Sequence, residues 1–329
     1  MTHSSDNRLD RRRFLQLAGG ATLGGAALSM LPGTAMARHQ GEFHINPNWP
    51  EHKLWKAVKR AFVLDRNSVY MNIGTTGSMP RQVLKNYDRY NQVVAKDPWH
   101  MNDEWGDWPY TTELVADIAP QFGADPAQIV LSRNTTDGMC TILGGLNLQE
   151  GDVILSTHHE HIAALSPLQI AAERLGVIVD YLEIPVYTGE TEISEDDFVQ
   201  VFQQGVDKHG VDNVALIVFS HITYKTGTRL PAKRICQEVA VPNNIMTLID
   251  GAHSIGMVDL DFQDIGCDFY AGSGHKWQCG PGATGILYLR QGAEAGIDGY
   301  WPINGSLYPY AGFFNLQRQL QYVGNDNYP

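Results

Sequence analysis

The sequence predicts an α/β protein with a mostly parallel central sheet and helices on both of its faces. Three observations carry this. Short apolar runs recur from residue 128 onward, helix-like amphipathic stretches lie between them, and no repeat or low-complexity segment interrupts the alternation. Continuous apolar runs bounded by turns are the pattern of strands buried on both faces, and the stretches between them supply the crossovers that parallel strands require.

Residues 1–37 read as an address segment. RLDRRRFLQLAGGATLGGAALSMLPGTAMA (8–37) has a basic start, a weakly apolar Gly/Ala-rich middle and an A-x-A end at Ala35–Ala37, with cleavage expected after Ala37. RRRFLQ resembles the twin-arginine export signal, with Arg11 and Arg12 as the pair. Such a signal implies the twin-arginine machinery as a partner, a periplasmic or exported product, and a chain that folds around any cofactor first. A membrane anchor would need about 20 strongly apolar residues, and this segment is too short and too weak.

Residues 38–68 follow as an extended arm and a short helix over PEHKLWKAVKRAF, before a large domain expected over 69–310. The predicted strands are QIVLS (128–132), DVILST (152–157), VIVDYLEI (177–184), VALIVFSHI (214–222), IMTLIDG (245–251), DFYAGSG (268–274) and GILYLR (285–290). SPLQIAAERLG and AKRICQEVA are among the helix-like connections. The 329 residues carry 43% hydrophobic and 18% charged side chains, ordinary for an enzyme-sized core. The net charge of −12 argues against a nucleic-acid partner. Cys140, Cys236, Cys267 and Cys279 form no C-x-x-C pair and read as buried thiols.

In parallel sheets ligands bind at the carboxyl ends of strands. After QIVLS, Asn134, Thr135 and Thr136 open a helix; they serve equally as ordinary caps or as an anion cradle. After DVILST come three histidines around Glu160, spaced too irregularly for a metal, which leaves one ring as a flat stacking surface. Asp250 ends a buried strand, where a carboxylate needs a cation, and His253 follows three residues on. After DFYAG, Lys276 stands in a tight turn. A phosphate cradle, a stacking ring, a buried carboxylate and a turn-held amine are what pyridoxal phosphate requires.

With those residues in place the chain resembles the class V aminotransferase family. This is a pyridoxal-phosphate group of fold type I, similar in fold to aspartate aminotransferase, that includes cysteine desulfurases and isopenicillin N epimerase-like proteins. The resemblance covers roughly residues 69–329. SGHK (273–276) is similar to the Schiff-base stretch, which implies that Lys276 holds the cofactor and that Ser273 and His275 contact its phosphate. DGAH (250–253) implies Asp250 on the pyridine nitrogen and His253 on the phenolic oxygen. RNTTD is similar to the phosphate element, and EHIAALSP nominates His161 as the stacking ring. YMNIGTTGSMP (70–80) is similar to the epimerase-like N-terminal stretch and places Asn72 and Gly74 toward substrate.

Three departures accompany the resemblance. Tyr224 stands where desulfurases have an asparagine beside the cofactor oxygen. Asn325, in GNDNYP, replaces a threonine that reaches the partner subunit's phosphate in a homodimer. Residues 311–329 read as the start of a truncated C-terminal segment, the small domain with its substrate-carboxylate arginine being expected to be missing. Cys279 does not match the desulfurase cysteine and reads as structural. The resemblance implies an enzyme acting at the α-carbon of an amino acid, by epimerisation or transamination, with Lys276 as proton carrier. The alternatives are a cysteine desulfurase or C–S lyase, and a cofactor-holding protein without turnover.

Overall fold

The computed structural model describes residues 46, 48–98, 110–187, 189, 192–291 and 293. The expected signal (1–37) and C-terminal segment (311–329), with Arg11, Arg12 and Asn325, lie outside them. Seven strands form one sheet: β1 (Ile129–Ser132), β2 (Val153–Thr157), β3 (Ile178–Leu182), β4 (Val214–Ser220), β5 (Met246–Asp250), β6 (Phe269–Ser273) and β7 (Gly285–Leu289). Their order is β1-β7-β6-β5-β4-β2-β3. The pairs β6·β5, β5·β4, β4·β2 and β2·β3 are parallel, and β7 runs against both β6 and β1. Strands β1 to β6 therefore all point the same way, and their carboxyl ends share one edge of the sheet.

Helices α1 (Glu51–Ala61), α2 (Arg81–Lys96) and α3 (Tyr110–Ile118) precede the sheet. α4 (Thr135–Gly145) and α5 (Ile162–Leu175) cover one face, packing Met139, Ile142, Leu143 and Leu168 against Val130, Ile154, Val218 and Leu248. α6 (Glu195–His209) and the helix starting at Ala232 cover the other, where Phe198, Phe202 and Ile235 meet Leu155, Ile217, Phe219 and Ile249. Neighbouring strand residues thus bury into opposite layers, which is why each run reads as continuously apolar.

Two helices differ from expectation. α5 begins at Ile162, four residues before the Ser-Pro signal, because His161 Nδ1 accepts Ala163 N–H at 3.2 Å and caps it there. Pro167 consequently sits inside the helix. AKRICQEVA makes one α-helical turn, α7 (Ala232–Arg234), and then widens into a π-helix over Ile235–Ala240, whose four apolar side chains are all buried. A last short helix, α8 (Phe262–Ile265), leads into β6. No helix among the described residues is long and apolar enough to cross a membrane.

Candidate active site

Along the shared strand edge, α4 starts directly after β1. Asn134 is its N-cap, its Oδ1 accepting Asp137 N–H at 2.9 Å. Buried Thr135 donates its N–H to Ser273 Oγ at 3.0 Å, and the two hydroxyls lie 2.7 Å apart. This joins the start of α4 to the end of β6. Thr136 faces outward. Gly138 is required by the close approach, since a Cβ there would lie 2.8 Å from Ala271 Cβ. Beyond Ser273, His275 Nδ1 is buried with no hydrogen-bond partner among the described residues. A polar nitrogen left this way beside a helix N-terminus suits an anion.

Asp250 closes β5 and is 3% exposed. Its Oδ1 accepts Ala252 N–H at 2.9 Å, and no ion pair reaches it among the described residues. Burial pushes its carboxyl above the ordinary aspartate value, opposed by that N–H and by the charges of Lys276 and His161. Lys276, half-buried, shows the reverse: burial lowers its amine, and Asp250 partly restores it. Its Nζ has no hydrogen-bond partner among the described residues. His253 is pushed down to about 4, by burial first and then by Lys276 and His161, so its ring is neutral at neutral pH. Its Nδ1 accepts Trp277 Nε1–H at 3.3 Å.

His161, fixed by its capping bond, meets Tyr224 edge-on, the ring centroids 5.1 Å apart at 89°. Tyr224 therefore contacts the nominated stacking ring. The segment over 72–78 docks on the far side of Lys276. Gly77 N–H donates to His275 O at 2.7 Å, and a Cβ on Gly77 would stand 2.0 Å from Lys276 O. A Cβ on Gly74 would lie 3.0 Å from His253 Cε1. Asn72 is exposed and spends its Oδ1 on Thr75 Oγ1 at 2.8 Å.

The structure brings Lys276, Asp250, His161, His253, Ser273, His275, Thr135, Asn134, Tyr224 and Gly74 to one edge, with Thr136 and Asn72 at its exposed margin. Sequence reasoning missed Trp277, the partner of His253, and the depth of Glu160, which was weighed only as a neighbour of histidines. Glu160 is 0% exposed, between β2 and β4. Its signal was a lone carboxylate in the turn three residues after an apolar strand, close to the strand-end signal that singled out Asp250.

Fold and site together define an α/β protein that places an amine, a buried carboxylate and an anion cradle on one sheet edge. The family described as aminotransferase class-V matches residues 69–299. The chain belongs to the class-V aminotransferase family. It is 30% identical over 239 residues to the isopenicillin N epimerase of Streptomyces clavuligerus, covering 72% of this chain and 57% of that one. It is 30% identical over 274 residues to a probable cysteine desulfurase of Halalkalibacterium halodurans, covering 78% and 63%. The chain thus spans about six-tenths of the length of these relatives. Its fold is similar to that of a cystine C–S lyase in complex with its product cysteine persulfide: TM-score 0.61, 25% identity, covering 79% of this chain and 74% of that one. A lysine variant of the same lyase, with glycine covalently linked to its pyridoxal-phosphate cofactor, is similar at TM-score 0.61 and 26% identity, covering 78% and 71%.

Proposed function

We propose that this chain is a pyridoxal-phosphate enzyme that labilises the α-hydrogen of an amino acid, leading to epimerisation or transamination. The observation that carries it is Asp250, a buried carboxylate with no ion pair among the described residues, acting electrostatically on a lysine whose amine is lowered by burial. A buried charge of this kind calls for a cationic partner, and a pyridinium nitrogen is one.

Bound there, pyridoxal phosphate supplies an electrophilic aldehyde and an electron-withdrawing ring. The residues divide the remaining work. Thr135, Ser273 and His275, with the start of α4, bind the phosphate, and Asn134 holds that helix start in shape. Asp250 keeps a proton on the ring nitrogen through its charge. His161 gives a flat surface, steadied by Tyr224, and neutral His253 orients the ring through its phenolic oxygen. Lys276 Nζ carries the proton to and from the α-carbon, which its lowered amine favours. Gly74 and Asn72 line the approach of substrate.

The test is to incubate the loaded protein with a panel of L-amino acids in D2O. Deuterium at the α-carbon is expected. A D-enantiomer would then mark epimerisation, and a 2-oxo acid transamination. Sulfide or persulfide from cysteine or cystine would favour the second reading, a desulfurase or C–S lyase, which the likeness to the C–S lyase supports. Bound cofactor without exchange would support a cofactor-holding protein.

The same proposal extends to assembly and location. The enzyme is a homodimer, and it is exported by the twin-arginine route after loading, on the strength of RRRFLQ and the A-x-A end. Replacing Arg11 and Arg12 by Lys is expected to trap loaded, dimeric protein in the cytoplasm. Periplasmic yield equal to wild type would dismiss the export signal.

A further inference from the structure

Glu160 is a fully buried carboxyl that the proposed reaction does not use. It lies in the turn between β2 and α5, directly before His161. Thr157 Oγ1, at the end of β2, donates to Oε1 at 2.7 Å, and Ser220 Oγ, at the end of β4, pairs with Oε2 at 2.6 Å. The two hydroxyls are not equivalent. Thr157 Oγ1 already accepts His159 N–H at 3.1 Å, which directs its own proton to Glu160. Ser220 Oγ donates to Oε2 and has no second partner among the described residues, so its hydroxyl is free to turn and accept from Oε2 when the carboxyl is neutral. A neutral carboxyl is therefore accommodated, its proton accepted by Ser220 Oγ.

The charged group that faces Glu160 is Asp250, at the end of β5, and Lys276 and His161 act in turn on Asp250. Asp250 is in register with Ser220 across β4 and β5, and Ser220 holds Glu160. The two buried carboxyls therefore act on one another, do not both ionise readily and titrate as a unit. Lys276 draws the charge to Asp250, and no cation among the described residues does the same for Glu160. Burial, reinforced by Asp250 and opposed by the two hydroxyls and the Ser220 backbone N–H, pushes Glu160 up to about 7.

We propose that Glu160 is a positioning residue. It holds a proton at Oε2 so that Asp250 keeps the negative charge, and its tie from Thr157 to Ser220 fixes the turn that presents His161. The value of that positioning rests on the pyridoxal-phosphate reading of Asp250 and His161; the proton at Oε2 does not.

Two measurements on the full chain separate these parts. The first is thermal melting without cofactor, from about pH 4.5 to about pH 8.5, for wild type and Glu160→Gln. A carboxyl raised on folding contributes stability that is fully present below its unfolded value and is lost as pH rises through about 7. The variant is therefore expected to gain on wild type from the acid end up to about pH 7 and to hold that gain above it. A constant offset would overturn the proton assignment. The second is binding of pyridoxal phosphate near pH 6, where Glu160→Gln keeps roughly wild-type affinity, while Glu160→Ala and Ser220→Ala each weaken it about tenfold. Wild-type affinity in the truncated variants would overturn the positioning, and Ser220→Ala decides should Glu160→Ala fail to fold. If wild type itself bound no pyridoxal phosphate, the reading of the site would fall while the melts still judged the proton.

Discussion

Borohydride treatment of the protein loaded with pyridoxal phosphate is expected to fix one pyridoxyl group per chain, on Lys276, and to bleach the visible absorption. Lys276→Ala should keep at most cofactor that gel filtration removes. The sequence has nine lysines, so the choice of one is a real test. Lys208 and Lys233 are paired with Asp180 and Asp264, at 2.8 and 2.6 Å, and Lys225 donates to His158 O at 2.8 Å. Those amines are exposed and each already has an oxygen partner. Lys276 is half-buried, without a hydrogen-bond partner among the described residues, and burial lowers its amine. Only the neutral amine attacks an aldehyde. The rate of capture should therefore rise with pH and level off below the pH at which an ordinary lysine would. Label on another lysine, or capture that climbs to the usual lysine range, would remove Lys276 from its assigned role.

Much of this site was legible because its components end a strand or lie within a few residues after one. Buried strands announce themselves as unbroken apolar runs, so the residue after each run is located on one sheet edge without any coordinates. Asp250 and Lys276 were found that way. What was not legible depends on contacts between runs distant in sequence. The antiparallel setting of β7 follows from the tight turn after Lys276 and from pairing with β1, where Ile129 and Tyr288, 159 residues apart, are in register. The start of α5 was misplaced because Ser-Pro is a strong local signal, whereas the cap is set by His161, whose ring is held for another purpose. Glu160 was undervalued for a similar reason: its hydroxyl partners come from β2 and β4, and only Thr157 is near in sequence. Trp277 gives no pattern at all, since its partner His253 lies 24 residues back.

Asp250→Asn is expected to slow α-hydrogen exchange by roughly a hundred- to several-thousandfold, while making the cofactor-free protein relatively more stable as pH rises. The two effects have one cause and opposite signs. In the loaded protein Asp250 keeps a proton on the ring nitrogen, and breaking a buried ion pair costs about 3–5 kcal/mol. At 1.36 kcal/mol per tenfold, that accounts for the expected loss of rate. In the cofactor-free protein the same carboxylate has no counter-ion within ion-pair distance among the described residues, and burial raises it above the ordinary aspartate value. A carboxyl raised on folding contributes stability below its unfolded value and loses it as pH rises through the folded one. Asparagine retains an Oδ1 to accept Ala252 N–H, 2.9 Å away in the wild type, and cannot ionise. Its melting temperature should gain on wild type with increasing pH when cofactor is absent, and that advantage should shrink or reverse once pyridoxal phosphate is added. A merely structural aspartate would lower stability on replacement in both states and leave exchange in the remaining folded protein unchanged. Unchanged exchange, measured as α-deuterium per bound cofactor, would therefore remove Asp250 from the chemistry, whatever the melts showed.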